Sequence, residues 1–394
     1  MLPPLRLKKN EDRRLRAGHL WVFSNEVDVA RTPLTAFQPG DPVAVEDHRG
    51  APLGAAYVNP RSLIAARLVS RDPRVPLDGA LLRERLARAL ALRERLFPGP
   101  FYRLAFGEGD GLPGLVVDRF GGVLVAQLTT AGMERLRDEV VAALVETVRP
   151  DGVLLRNDVP GRALEGLDAY VEVPHGTVPE SVELEENGTR FRAPLSAGQK
   201  TGWFYDHRMN RARMQAYVRG RRVLDVFSYV GGWGVQAAAA GATEVLCVDS
   251  SEFALEQVRE NAALNGAGER VGVRRGDAFE VLRALAAAGE RFDVVVLDPP
   301  AFIKRKKDQK AGEEAYRRLG QLGMEVLAPD GILVSASCSF HMPREALQDT
   351  VLRAGRRLGR ELQVLEEGTQ GPDHPIHPAI PETRYLKAFF ARVG

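Results

Sequence analysis

The chain of 394 residues exceeds one ordinary core, and at roughly 100 to 200 residues per domain three domains are expected. Its 44% hydrophobic and 27% charged residues exclude a disordered or fibrous chain, and no apolar run approaches the roughly 18 residues that span a bilayer. A net charge of +2 announces no polyanion partner by itself, the two cysteines lack metal-ligand spacing, and the start MLPPLRLKKNEDRRLR has no signal-peptide core. A cytoplasmic protein with no membrane partner and no metal is therefore expected.

In residues 1–72 short runs such as DPVAVED, LGAAYV and SLIAARLVS alternate with Pro, Gly and Asn, the pattern of a small β-barrel. The basic run from Arg6 to Arg16 suits either phosphate or a solvated face. Trp21 and Phe23 stand on alternate positions of a strand, which reads more often as a buried aromatic pair than as a base-stacking pair. The linker SRDPRVPLDG opens a second domain, 73–181, with an Arg- and Leu-rich helix over 80–96 and another over 132–148 in an α+β pattern. Asn187-Gly188 between two alternating runs predicts a hairpin at the start of the third domain, 182–394. From 221 onward VLDVF, EVLCVD, VGVRRGD, FDVVVLD and GILVSASC alternate with Ala- and Leu-rich stretches, which predicts a parallel sheet with helices on both faces. The last runs, LQVLEEG and YLKAFFARV, lack a helix between them and predict an antiparallel end.

Ligands of open α/β sheets bind beyond the carboxyl ends of the strands. After the first run comes DVFSYVGGWG, where Gly231, Gly232 and Gly234 let the backbone approach a ligand and Phe227 and Tyr229 share the turn. The spacing differs from the dinucleotide Gly-x-Gly-x-x-Gly, and such a turn alone can be structural. The second run ends at Asp249-Ser250, where a carboxylate can accept both hydroxyls of a ribose. After the third, Asp277 suits an adenine amino group, with Ala278 or Phe279 against the ring; after the fourth comes Asp298-Pro299-Pro300-Ala301-Phe302. Four strand ends in order are hard to explain as packing. An acidic set favours the sulfonium of S-adenosylmethionine over a diphosphate.

With GHLWVFSNEV, GEGDGLPGLVVDRFG, GQKTGWFYDHR, FSYVGGWG, DPPAF and SCSF, the chain resembles, over essentially its whole length, the RlmI/RlmO family of large-subunit ribosomal RNA 5-methylcytosine methyltransferases. The resemblance implies an N-terminal PUA-like β-barrel that binds RNA, a central α+β domain and a C-terminal class I (Rossmann-like) methyltransferase domain. It adds Lys200, Phe204, Asp206 and Arg208 to the cofactor site. It implies large-subunit ribosomal RNA as partner; a homodimer is one candidate assembly, and the sequence does not fix the oligomeric state. Trp233 departs from it, since such proteins more often carry Phe there.

Carbon 5 of cytosine is a poor nucleophile, so its methylation needs a thiolate adding to carbon 6. Cys338 follows the fifth run at the rim, whereas Cys247 sits inside an apolar strand; Cys338 is the expected nucleophile and Cys247 core. Asp298 is expected to stabilise the charge formed on addition, and Glu382 is a candidate general base, with water as its rival. His341 is read as capping the helix that follows, and His374 and His377 as turn residues. Lys304, Arg305, Lys306 and Lys307 follow DPPAF directly, where an RNA backbone must approach. The competing readings are methylation of a base nitrogen, which needs no cysteine, and an RNA assembly factor with a vestigial pocket.

Overall fold

The computed structural model describes residues 2–195, 198 and 201–394. Two compact units are present: Met1–Val182 with Pro194–Tyr205 and Pro372–Thr383, and Glu183–Ala193 with Asp206–Gly371 and Arg384–Gly394. No helix among the described residues is long and apolar enough to cross a membrane.

The first unit opens with a five-stranded sheet in which Pro4–Arg6, Asp41–Glu46, Pro52–Val58, Ile64–Ser70 and Trp21–Phe23 are successive neighbours. The alternation expected to bury Trp21 and Phe23 runs the other way. Val22 is fully buried with Leu5, Leu15 and Leu68, and both rings are half-buried. A three-residue strand has too few positions for its composition to fix which face turns inward. The Trp21 indole donates to Glu108 Oε1 at 2.7 Å, and the Arg14 guanidinium lies 4.8 Å over the Phe23 ring. Much of the basic run is paired: Arg6 with Glu46, Arg14 with Glu26, and Arg16 with Asp12 and Asp47.

The same unit holds a second five-stranded sheet, with Val171–Gly176, Gly152–Arg156, Val123–Leu128, Leu115–Phe120 and Phe101–Phe106 in that order. Helix Gly79–Leu96 packs on it, its first turn capped by Asp78, which accepts from Leu81 N at 2.9 Å. The helix expected over 132–148 is divided into Ala131–Arg135 and Arg137–Val148. The first piece carries Gly132 against the Tyr57 ring, where a Cβ would come within 2.3 Å.

The second unit carries the alternating pattern in full: β1 (Arg222–Val226), α1 (Gly234–Ala239), β2 (Glu244–Asp249), α2 (Glu252–Leu264), β3 (Val271–Arg275), α3 (Ala278–Ala287), β4 (Phe292–Leu297), α4 (Gln309–Glu325), β5 (Leu327–Ser337), α5 (Arg344–Arg357), β6 (Leu362–Gly368) and β7 (Lys387–Val393). The strand order is β3-β2-β1-β4-β5-β7-β6. The first five strands are parallel, and β7 enters antiparallel between β5 and β6. β1 and β4 read as near-continuous apolar runs because helices cover both faces of a parallel sheet, and Leu224, Val226, Val295 and Leu297 are buried in the core. The order reverses between β1 and β4, so their carboxyl ends open the crevice where a ligand binds. The hairpin at Asn187-Gly188 forms with φ of 54° and 76°, as its two-residue turn requires. Its second strand is tied to α2, with Arg190 N donating to Asn265 Oδ1 at 3.0 Å and Arg192 N to Asn261 Oδ1 at 2.7 Å. α5 begins after Pro343 with no side-chain cap, so His341 does not serve as one.

Candidate active site

The turn after β1 is shaped by its backbone. Phe227, Tyr229 and Gly231 have φ of 67°, 48° and 87°, a conformation that costs the first two residues energy and marks sites held for function. Phe227 N and Ser228 N both donate to Val248 O, at 2.9 and 3.0 Å. Beneath the turn Asp225 is fully buried, and its Oδ2 accepts from Gly234 N at 2.8 Å. Burial, with Asp298 and Asp249 nearby, pushes its carboxyl up to about 7. Asp225 Oδ1 and Ser228 Oγ are buried with no hydrogen-bond partner among the described residues. Gly234 is obligatory for space: a Cβ there would lie 2.4 Å from Cys247 Sγ. Cys247 itself is fully buried, which pushes its thiol well up.

The next strand ends present acids. Asp249 is held by Tyr229 N on Oδ2 at 3.0 Å and Ser251 N on Oδ1 at 2.9 Å, with exposed Ser250 beside it. Asp277 is exposed and caps α3, its Oδ1 accepting from Phe279 N at 3.0 Å and Glu280 N at 3.1 Å; Oδ2 takes part in neither bond. Ala278 is buried behind it. Phe302, from the loop after β4, lies 6.2 Å from Phe279, 6.4 Å from Phe227 and 4.9 Å from Tyr316, ring centre to ring centre. These residues fit S-adenosylmethionine. Carboxylates suit a ribose diol and an ammonium, the glycines of the turn leave no side chain between backbone and ligand, and the rings of Phe279, Phe302 and Phe227 cluster beside Asp277.

At the end of β4, Asp298 is gripped from two sides. Trp233 Nε1 donates to Oδ2 at 3.0 Å, and His207 Nε2 lies 3.2 Å from Oδ1. Asn210 Nδ2 lies 3.1 Å from His207 Nδ1 while Asn210 Oδ1 accepts from Arg213, so the imidazole proton belongs on Nε2, facing Asp298. Burial opposes charge on both groups, yet their mutual attraction wins: His207 is raised and Asp298 lowered from their usual values. Asp298 therefore stays ionised in a shielded place. The departure at Trp233 thus supplies a hydrogen bond that Phe could not.

Cys338 is the first residue beyond β5 and is half-buried. The turn around it is fixed by Ser337 Oγ, which donates to Tyr316 OH at 2.8 Å and accepts from Ser339 N at 3.2 Å, and by Ser339 Oγ, which donates to Ile303 O. Lys387 stands opposite Ser337 in the β5–β7 register and donates to Ser339 O at 2.5 Å and Tyr385 O at 2.8 Å. Burial pushes the Tyr316 phenol up to about 12.

Asp206 and Arg208 also belong to the second unit and are buried. Asp206 Oδ2 accepts from Tyr385 OH at 2.6 Å, and Arg208 Nε lies 3.5 Å from the buried carboxylate of Glu186. Lys200 lies outside the described residues, and Phe204 falls in the first unit. Glu382 likewise falls in the first unit, exposed on the short turn Pro381–Thr383, so the second unit's geometry lends its role as a base no support. His374, also in the first unit, is buried at 2.9 Å from Asp373. Lys304, Arg305, Lys306 and Lys307 are all exposed, with Arg305 Nε bonded to Asp308 at 3.0 Å. Reading the chain in order missed His207, Tyr316 and Lys387. Their only sequence signal is proximity to a motif, since their partners lie on other elements.

Comparison with known proteins gives the family and the fold. The family model of S-adenosylmethionine-dependent methyltransferases matches residues 165–389, and that of the PUA-like domain matches 5–71. The chain is 38% identical over 396 residues to the ribosomal RNA large subunit methyltransferase I of Shewanella frigidimarina, covering 99% of each chain. It is 37% identical to its namesake in Cronobacter sakazakii, covering 98% of each. Among solved structures, a chain in complex with S-adenosylhomocysteine superposes with a TM-score of 0.85 at 20% identity, over 99% of this chain and 100% of that one. A second, from Streptococcus mutans, reaches 0.83 at 19% identity with the same coverage. Both structural likenesses speak to the fold.

Proposed function

The chain belongs to the family of ribosomal RNA large subunit methyltransferases I, S-adenosylmethionine-dependent enzymes with a PUA-like domain, and on that premise we propose that it methylates carbon 5 of a cytosine in large-subunit ribosomal RNA through a covalent adduct with Cys338. One observation carries the reading. Cys338 and Asp298 follow neighbouring parallel strands, in register at Leu297 and Ser335, so a thiol and an ionised carboxylate both lie at the carboxyl edge of the sheet.

When bound, S-adenosylmethionine supplies an electrophilic methyl group. Asp249 would hold its ribose, Asp277 its adenine amine, and the turn from Phe227 to Gly232 its amino-acid end, with Asp206 and Arg208 completing the cover. The Cys338 thiolate adds to carbon 6 of the base, and the carbon 5–carbon 6 π electrons move to carbon 5, which takes the methyl group. Asp298, ionised beside His207 and oriented by Trp233, would accept a hydrogen bond from the exocyclic amine and so orient the ring for addition. Loss of the carbon 5 proton to a base, water or Glu382, then returns the electron pair to the ring and expels the thiolate. Lys304, Arg305, Lys306 and Lys307 would meet phosphates at the mouth.

The test incubates the purified protein with ribosomal RNA and labelled S-adenosylmethionine, maps the modified base by mass spectrometry and repeats the reaction with Cys338→Ala. Label on carbon 5 of a cytosine, lost in the variant, is expected. Label on nitrogen, indifferent to the substitution, would make Cys338 a packing residue and the enzyme a nitrogen methyltransferase.

A further inference from the structure

A buried lysine without a carboxylate partner demands an explanation, because lysine is almost never buried unless paired. Lys387 is 7% exposed, and no carboxylate lies within ion-pair distance of it among the described residues. Its ammonium carries three protons. Two go to the carbonyls of Ser339 and Tyr385, at 2.5 and 2.8 Å. Ser339 is the residue after Cys338, and Lys387 pairs in register with Ser337, the residue before it. The ammonium is therefore held against the one short turn that carries the thiol.

We propose that Lys387 is a positioning residue for Cys338, anchoring the turn through Ser339 and supplying the positive charge that balances the thiolate. Its catalytic consequence rests on the reading of Cys338 as nucleophile; its electrostatic content does not.

Among the described residues, these groups flank the thiol. From α4, Tyr316 faces the thiol, and with its phenol pushed up by burial it is neutral near pH 7. Asp298, beyond β4, accepts from Trp233 and faces Nε2 of His207. Arg344 of α5 is paired with Glu367, and His341 lies three residues along the chain. Burial pushes Lys387 itself down, a negative charge on Cys338 offsets part of this and Arg344 adds to it, leaving the ammonium at about 8. It thus remains largely charged at neutral pH. A cation beside a thiol favours the thiolate, which is the attacking species.

The experiment alkylates the full-length protein with iodoacetamide across a pH series and quantifies modification of the Cys338 peptide by mass spectrometry. In the wild type the midpoint should fall below the ordinary thiol value of about 8.5. Lys387→Met should raise it by about one unit, a roughly tenfold slower reaction near pH 7, while Lys387→Arg, which keeps the charge, should not. The acid limb of the methyl-transfer rate should move with the midpoint, with the KM for S-adenosylmethionine unchanged. A wild-type midpoint at or above the ordinary value overturns the proposal whether or not the Met variant folds. So does a folded Met variant that titrates like the wild type. Full activity of Cys338→Ala would instead sink the covalent mechanism while leaving the titration result standing.

Discussion

Gly234→Ala should break the cofactor turn, and Cys247→Ala should repair it. The new Cβ would stand 2.4 Å from Cys247 Sγ, 3.1 Å from Asp225 Oδ2 and 3.2 Å from Val245 Cγ1. Contacting atoms prefer about 3.5 to 4.0 Å, so the sulfur contact is more than about 1 Å too close. Cys247 cannot retreat easily, since β2 is hydrogen-bonded on both sides by β1 and β3. Overpacking of this kind costs about 1 to 3 kcal/mol, and the better helix propensity of alanine returns at most about 1 kcal/mol. A net loss of about 2 kcal/mol is expected. Because Gly234 N also anchors Asp225, displacement of α1 should shift the turn and weaken S-adenosylmethionine binding about tenfold or more. Cys247→Ala alone removes one buried atom and should cost about 1 kcal/mol. The double variant should be more stable than the sum of the single changes by about 1 to 2 kcal/mol, since the added methyl fills the vacated space. Urea unfolding followed by circular dichroism gives the stabilities, and titration calorimetry the affinity. If Cys247→Ala fails to relieve Gly234→Ala, the steric account of this glycine is wrong.

Asp225 makes stability depend on pH. Its folded value of about 7 exceeds the unfolded 3.8, so its contribution is full below about pH 4, declines as pH rises through 7 and is level above. Asp225→Asn does not titrate. Its melting temperature should therefore gain on the wild type between pH 4 and pH 7, corresponding to at most about 4 kcal/mol; parallel melting curves across that range would contradict the buried, unpaired carboxylate. Trp233→Phe removes one hydrogen bond to the charged Asp298, a loss of about 1.5 to 3 kcal/mol where that charge matters. Methyl-transfer kcat should fall about tenfold or more with S-adenosylmethionine affinity nearly unchanged, as steady-state kinetics and calorimetry would separate. Equal losses in both would mean that the indole serves packing alone.

The sequence by itself determined the sheet and its acidic edge. Each βα unit carries its own hydrophobic period and its own turn chemistry, so the residue after each run is placed at the carboxyl end by connectivity alone; Asp249, Asp277 and Asp298 were legible for that reason. The missing helix before YLKAFFARV likewise made the antiparallel end readable. Only the tertiary structure decided that β7 slips between β5 and β6, because strand order depends on which edge a returning chain can reach. It also decided which face of Trp21–Phe23 turns inward. The charged grips around the site belong to the same class. Trp233 and Asp298 are 65 residues apart, and Lys387 and Ser339 are 48 apart. No local period links them: a side chain's partner across a sheet is set by register and packing, which arise only once the elements are assembled.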